Sequence, residues 1–230
     1  MSNKQVDLLV YGGGVAGVEA ACAAAAAGKR CLLVERRTYL GHEITATGRY
    51  WLAEAEGLPP VPDQLKLALE ERLLAAGVEL LYGLRPIRVD GAQIEFVGKG
   101  GRLTVTAREY LNLARQTAPA GRGERTLELT GVDLAHLAEA SVPATVVPYC
   151  RIDPGPAVEH GHVLVTYGLE GDDLQVRLAA PAVVRWLKEK HPAFADARWT
   201  ASAPDVVGAA PTSQPEELKV DVLVIGGGTS

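Results

Sequence analysis

Gly12, Gly14 and Gly17 stand at the spacing G-x-G-x-x-G, and an acid, Glu35, follows about twenty residues later at the end of a second apolar run. Those residue types can bind a phosphate and a sugar. The first glycine permits a tight turn, the second lets backbone come close to a pyrophosphate, and the third lets a helix pack against a strand. The positive end of that helix then draws the anion. A carboxylate at Glu35 can accept hydrogen bonds from both hydroxyls of a ribose, which favours a ribose without a 2′-phosphate. Gly13, Val15 and Ala16 occupy the other positions of the turn and belong to the same expected contact.

Such groups work only if strand, turn, helix and strand hold them in order. Residues 6–11, VDLLVY, have the short apolar pattern of a buried strand. The Ala-rich stretch 15–27 has the composition of a helix, closed by Gly28, and residues 31–34 form a second strand that delivers Glu35. The whole arrangement predicts dinucleotide binding, because glycine turns alone are common and this ordered set is not.

The stretch VDLLVYGGGVAGVEAACAAAAAGKRCLLVERRTYLGHEITATG resembles the opening of FAD-dependent oxidoreductases of the glutathione-reductase-like superfamily. The resemblance implies FAD as cofactor, with Gly12, Gly14 and Gly17 facing its pyrophosphate and Glu35 its adenosine ribose. It also implies that the loop from Leu40 to Thr47 runs toward the flavin, with Arg36, Gly41, His42 and Thr45 in the cofactor's surroundings. Gly41 matches the family's first loop glycine, whereas His42 stands where a second is usual. Two readings of His42 remain open: an imidazole near the flavin, as an acid/base group or attachment point, or a polar loop residue facing solvent. His42 and Glu43 are the positional candidates for catalysis, and Arg36, Arg37 and Arg49 could meet phosphates.

Beyond the loop, DQLKLALEERLLAAG predicts an amphipathic helix capped by Asp63 and closed by Gly77. Short strands at 78–81, 87–89, 94–97 and 103–106, separated by DG and GKGG turns, predict a β-meander. In the resembled family such a meander leads to a glycine turn against the cofactor. AREYLNLARQT, residues 107–117, lacks that turn and brings Arg115 and Gln116 instead, and Pro86 offers no amide hydrogen near Gly83, where the family often reads adenine.

The expected fold class is therefore α/β, an FAD/NAD(P)-binding Rossmann-like domain with a β-meander over residues 1–118. A smaller mixed α+β substrate or cap region is expected over 119–212, entered through a loop at 118–123. Within it, 126–129, 144–147, 162–167 and 174–178 have strand patterns, VDLAHLAEA that of a short helix and APAVVRWLKEKH that of a longer one with Val183 and Trp186 in its packing. His160 and His162 have the spacing that puts two side chains on one strand face. Without further ligands nearby no metal site is expected.

Residues 201–217 have the composition of a connector, and 213–230 hold a linker and VDVLVIGGGTS, the first strand and glycine turn of a second, incomplete dinucleotide-binding unit. A second polypeptide continuing the motif after Ser230 is the expectation there. A formal net charge of -5 with no basic blocks excludes nucleic acid and anionic membrane as main partners, leaving a small-molecule substrate. With 47% hydrophobic residues the chain can bury a sizeable core. The first residues carry no apolar signal segment, the Ala-rich run is too short to span a bilayer, and the expected location is cytoplasmic. Cys22, Cys31 and Cys150 are three, widely spaced, and fit reduced core thiols. The leading functional reading is a flavin-dependent oxidoreductase, or the N-terminal chain of one. A non-catalytic nucleotide-fold partner that completes an active flavoprotein and an NAD-binding subunit are the alternatives.

Overall fold

The computed structural model describes residues 2–114 and 122–208. β1 (Ser2–Tyr11) lies inside a six-stranded sheet, and Leu8, Leu9 and Val10 are buried on both of its faces, as a parallel strand covered on both sides requires. The chain then passes through α1 (Val15–Ala26), β2 (Cys31–Glu35), α2 (His42–Thr45), α3 (Trp51–Ala55) and α4 (Pro62–Ala75). It continues into β3 (Glu79–Tyr82), β4 (Arg85–Asp90), β5 (Gln93–Gly98) and β6 (Gly101–Asn112). Strand order is β3-β2-β1-β6-β5-β4; the first four are mutually parallel, and β5 runs antiparallel between β6 and β4 to form the meander. On one face Leu8, Val10 and Leu33 pack with Val18, Leu65, Leu69 and Leu73 of the helices. On the other Leu9, Leu32 and Val34 pack with Ile94, Phe96 and Val105 of the meander.

A second sheet is antiparallel, with order β10-β7-β9-β8, built from β7 (Arg122–Thr130), β8 (Tyr149–Pro154), β9 (Val163–Glu170) and β10 (Arg198–Ser202). α5 (Asp173–Lys190) lies against it and buries Val176, Ala180, Val183, Val184 and Leu187, with Trp186 partly buried beside them. The result is an FAD/NAD(P)-binding Rossmann-like α/β fold with a smaller second sheet. No described helix is long and apolar enough to cross a membrane.

Several local expectations are corrected. Residues 174–178 are helical rather than extended. A capping box at Asp172 and Gln175, closed by reciprocal bonds of 2.8 and 2.9 Å, starts α5 there, and Leu174 and Leu178 lie on its exposed side. Residues 144–147 form a turn, not a strand: the amides of Val146 and Val147 bond back to the Pro143 carbonyl, and the strand begins at Tyr149. The helix after Val61 opens on Pro62, whose fixed φ suits a first helical position, while Asp63 bonds Lys66 instead of capping. VDLAHLAEA narrows to a 3₁₀ turn over Leu134–Glu139.

Further along, Arg122 and Gly123 belong to β7, and Ala201 and Ser202 to β10, so neither pair is linker. His160 ends a 3₁₀ turn and is exposed, while His162 is buried past Gly161; the two share no strand face. Arg115, Gln116, the loop at 118–121, most of the connector and the terminal glycine turn all lie outside the described residues.

Candidate functional site

The parallel strands β1 and β2 end side by side, with Tyr11 in register with Val34, so the glycine turn and Glu35 meet at one edge of the sheet. Glu35 is buried and holds the turn directly: its Oε2 accepts from Gly13 N at 2.6 Å, and its Oε1 accepts from Arg37 N at 2.8 Å. The Gly12 amide donates to the Val34 carbonyl at 2.9 Å, and Gly12 itself has a positive φ of 116°. Each glycine of the motif meets a steric demand. A Cβ on Gly12 would fall 2.5 Å from the Ala114 nitrogen, and one on Gly17 would fall 1.9 Å from the Gly12 carbonyl oxygen. At Gly13 it would meet Leu40 at 2.4 Å. At Gly14 its nearest neighbours would be the carboxylate atoms of Glu43, the end of a flexible side chain.

α1 starts at Gly14, which offers no capping side chain, and carries no acidic residue in its first turn. The Val15 amide donates to Glu43 Oε1. Glu43 is carried by α2, which returns to the turn because the Gly41 amide donates to the Gly13 carbonyl at 2.8 Å. Gly41 adopts φ 69° and packs so closely on Leu65 and Leu69 that a Cβ would lie 2.4 Å from the former. Thr45 Oγ1 donates to the Gly41 carbonyl at 3.1 Å, so this hydroxyl fixes the loop.

His42 does not face solvent; its ring is buried between two carboxylates. Nδ1 lies 3.9 Å from Glu35 Oε2 and 3.8 Å from Glu43 Oε2 and has no hydrogen-bond partner. Arg36 and Ala16 are exposed. Arg36 stands with Leu84, Arg85 and Lys99 on the rim of a cavity of about 680 Å³ beside the meander. Arg37 pairs with Asp205 and Arg49 with Glu124, so both arginines serve contacts to the second sheet's side. The Gly83 amide donates to the Glu35 carbonyl at 2.8 Å.

Sequence reasoning missed a second polar group where the loop meets the other sheet. Tyr50 Oη donates to Glu128 Oε1 at 2.7 Å, and His162 Nε2 lies 3.3 Å from Glu128 Oε2, with the Ala157 amide donating to His162 Nδ1 at 3.4 Å. His162, backed by the Tyr50 hydroxyl, holds the Glu128 carboxyl below the usual carboxylate range despite burial, which pushes the other way. Burial, reinforced by Glu128, pushes the Tyr50 phenol well above its ordinary range and keeps it protonated. Tyr50 also lines a cavity of about 430 Å³ with Trp51, Arg151, Asp153, Pro156 and Leu164. No sequence pattern signals this group, because its members are 78 and 34 positions apart and meet only when the sheets pack.

Tyr50→Phe is expected to cost about 1 to 3 kcal/mol, since it removes a donor from a largely buried carboxylate. Glu128 has a lowered folded pKa, so its stabilisation is present above the ordinary carboxylate range and is lost as pH falls through the folded value. Urea unfolding of both proteins across pH checks this. The stability gap should narrow toward acid, and equal stabilities at neutral pH would remove the contact from the account.

No group of three or more His, Cys, Asp or Glu that could hold a metal exists among the described residues. The three cysteines are unpaired, and burial raises all of their pKa values, that of Cys150 to about 12, which keeps them as thiols.

Residues 7–58 match the model of the family described as FAD dependent oxidoreductase; that segment contains the glycine turn, Glu35 and α2. No curated protein matches the chain. Among solved structures, a geranylgeranyl bacteriochlorophyll reductase-like protein from Thermoplasma acidophilum is 14% identical, over 87% of this chain and 66% of that one, with a TM-score of 0.63. The p-nitrophenol 4-monooxygenase from Pseudomonas putida is 15% identical, over 90% and 68%, at 0.59. The myxobacterial chondrochloren halogenase, a variant of FAD-dependent halogenases, is 15% identical, over 88% and 63%, at 0.55. The chain thus spans about two thirds of the length of these structures. FAD is the cofactor of the family whose model the turn and acid match. The cradle fits it: the atoms nearest a Cβ on Gly14 belong to the carboxylate of Glu43, the end of a side chain that can move, and the buried Nδ1 of His42 and Oε2 of Glu43 are left without partners beside it.

Proposed function

We propose that the chain is a flavin-dependent oxidoreductase, or the FAD-binding part of one, that takes a hydride from a small organic substrate. The observation that carries this reading is the turn itself, where the start of α1, the side-chain-free Gly14 and the buried Glu35 meet at the carboxyl ends of β1 and β2. In this reading the turn and helix start formed by Gly12, Gly13, Gly14, Val15, Ala16 and Gly17 hold the pyrophosphate, with the Gly12 and Gly13 amides shaping the turn through Val34 and Glu35 and the amides from Gly14 onward facing the anion. Glu35 turns its carboxylate to the adenosine ribose, and Arg36 stands at the adenine side.

FAD when bound supplies the hydride acceptor. The protein's share is orientation, exclusion of water and a proton site. Gly41 and Thr45 hold α2 against the turn, and the buried His42 Nδ1 is the atom that can hold or release a proton there. The cavity walled by Tyr50 and Trp51 supports a place for an apolar, partly aromatic substrate, because Arg151 already lies 4.9 Å over the Trp51 ring and leaves an apolar wall of Pro156 and Leu164.

The test is the visible absorption spectrum of the purified chain before and after denaturation. A flavin band supports the reading, and colour that stays with the denatured chain assigns covalent attachment. A chain that takes up no FAD on titration sinks it and favours the non-catalytic partner.

A further inference from the structure

The carboxylate of Glu43 lies where a bound pyrophosphate would have to lie. Its Oε1 accepts from the Val15 amide at the start of the twelve-residue α1. Both of its oxygens come within 2.9 Å of the point where a Cβ on Gly14 would stand, which is the space that the motif's second glycine keeps open. An anion at that place gains from the helix dipole and from free amides, whichever molecule supplies it. Two anions cannot share it. Glu43 and a pyrophosphate therefore exclude one another.

The loop around Glu43 is arranged so that only this side chain has to move. Its backbone is pinned on both sides, by the Gly41 amide on the Gly13 carbonyl at 2.8 Å and by Thr47 Oγ1 donating to the Glu43 carbonyl at 2.5 Å. The side chain itself is 27% exposed, which leaves it a path to solvent. A second observation marks the same place as a ligand's. The His42 side chain is 6% exposed, and its Nδ1 lacks a partner 3.8 Å from Glu43 Oε2, an atom that lacks one too. A buried pair left unsatisfied is costly unless something else completes it.

We infer that Glu43 is an internal anion that competes with the dinucleotide's pyrophosphate for the start of α1 and must be displaced when the dinucleotide enters. The inference rests on the FAD reading above. It makes the Glu43 side chain a gate on cofactor uptake.

FAD titration of the full chain, followed by quenching of flavin fluorescence, tests it with wild type, Glu43→Gln and Glu43→Ala. Glutamine keeps an acceptor for Val15 but removes the competing charge; alanine removes both. Each variant should bind FAD ~10-fold more tightly than wild type. Without FAD, Glu43→Gln should melt close to wild type, and Glu43→Ala lower. Inorganic pyrophosphate, titrated by calorimetry, should show the same order of affinities. FAD affinity unchanged or weakened in both variants overturns the gate while leaving the FAD reading in place. No FAD binding by wild type or by either variant overturns both.

Discussion

A Gly17→Ala chain is expected to lose FAD binding and much of its folding stability together. The added methyl would stand 1.9 Å from the Gly12 carbonyl oxygen and 3.1 Å from its carbon, and both are backbone atoms that no rotamer change can clear. Gly12 cannot retreat. Its own Cβ position is 2.5 Å from the Ala114 nitrogen, so it is wedged between α1 and the chain leaving β6. Either the helix start lifts from β1 or the turn opens, and the core pair Val10 and Val18 loosens with it. Overpacking of this kind costs about 1 to 3 kcal/mol and more where backbone must shift. Gly28→Ala is the control: nothing lies within 4 Å, and its cost is the strain of φ 79° alone, about 1 kcal/mol. Urea unfolding and FAD titration of the two variants check this, and a Gly17→Ala protein as stable as Gly28→Ala would contradict it.

Glu35→Gln is expected to weaken FAD binding by about two orders of magnitude while the chain still folds. Both oxygens of Glu35 accept backbone amides, from Gly13 at 2.6 Å and Arg37 at 2.8 Å, in a site from which solvent is excluded. An amide has one acceptor oxygen, so its NH₂ must face one of those N–H donors, and a buried donor left unmade costs about 1 to 3 kcal/mol. The turn that presents Gly13 and Gly14 then loses its fixed shape, and the expected ribose contacts lose an acceptor. The two losses are separable by measuring unfolding without FAD alongside the dissociation constant. Glu35→Gln binding as tightly as wild type would end the role assigned to this carboxylate.

The sequence by itself determined the parts whose causes are local. Glycine spacing, the apolar run before it, the Ala-rich helix after it and an acid at the end of the next strand each follow from φ freedom, strand burial and helix length, all written within a few residues. The meander was legible for the same reason, as short apolar runs between glycine turns. Where local signals competed, pattern reading failed. The alternation at 174–178 looks extended, yet the Asp172 and Gln175 capping box starts a helix whose buried face begins at Val176. Likewise 144–147 is apolar enough for a strand, but its amides close a turn on Pro143.

Tertiary structure decided which side chains fill the site. Glu43 reaches Val15 across 28 positions, Tyr50 reaches Glu128 across 78, and Arg37 reaches Asp205 across 168. His42 became a buried group between two carboxylates, and His160 and His162 parted company at a left-handed glycine. None of these contacts has a period or a spacing to read. They exist because β1 and β2 end together, because Gly41 folds the loop back onto the turn, and because Gly48 allows that loop to lie against Thr126 of the second sheet. Chain geometry could announce a place for a pyrophosphate; only packing could put a carboxylate in it.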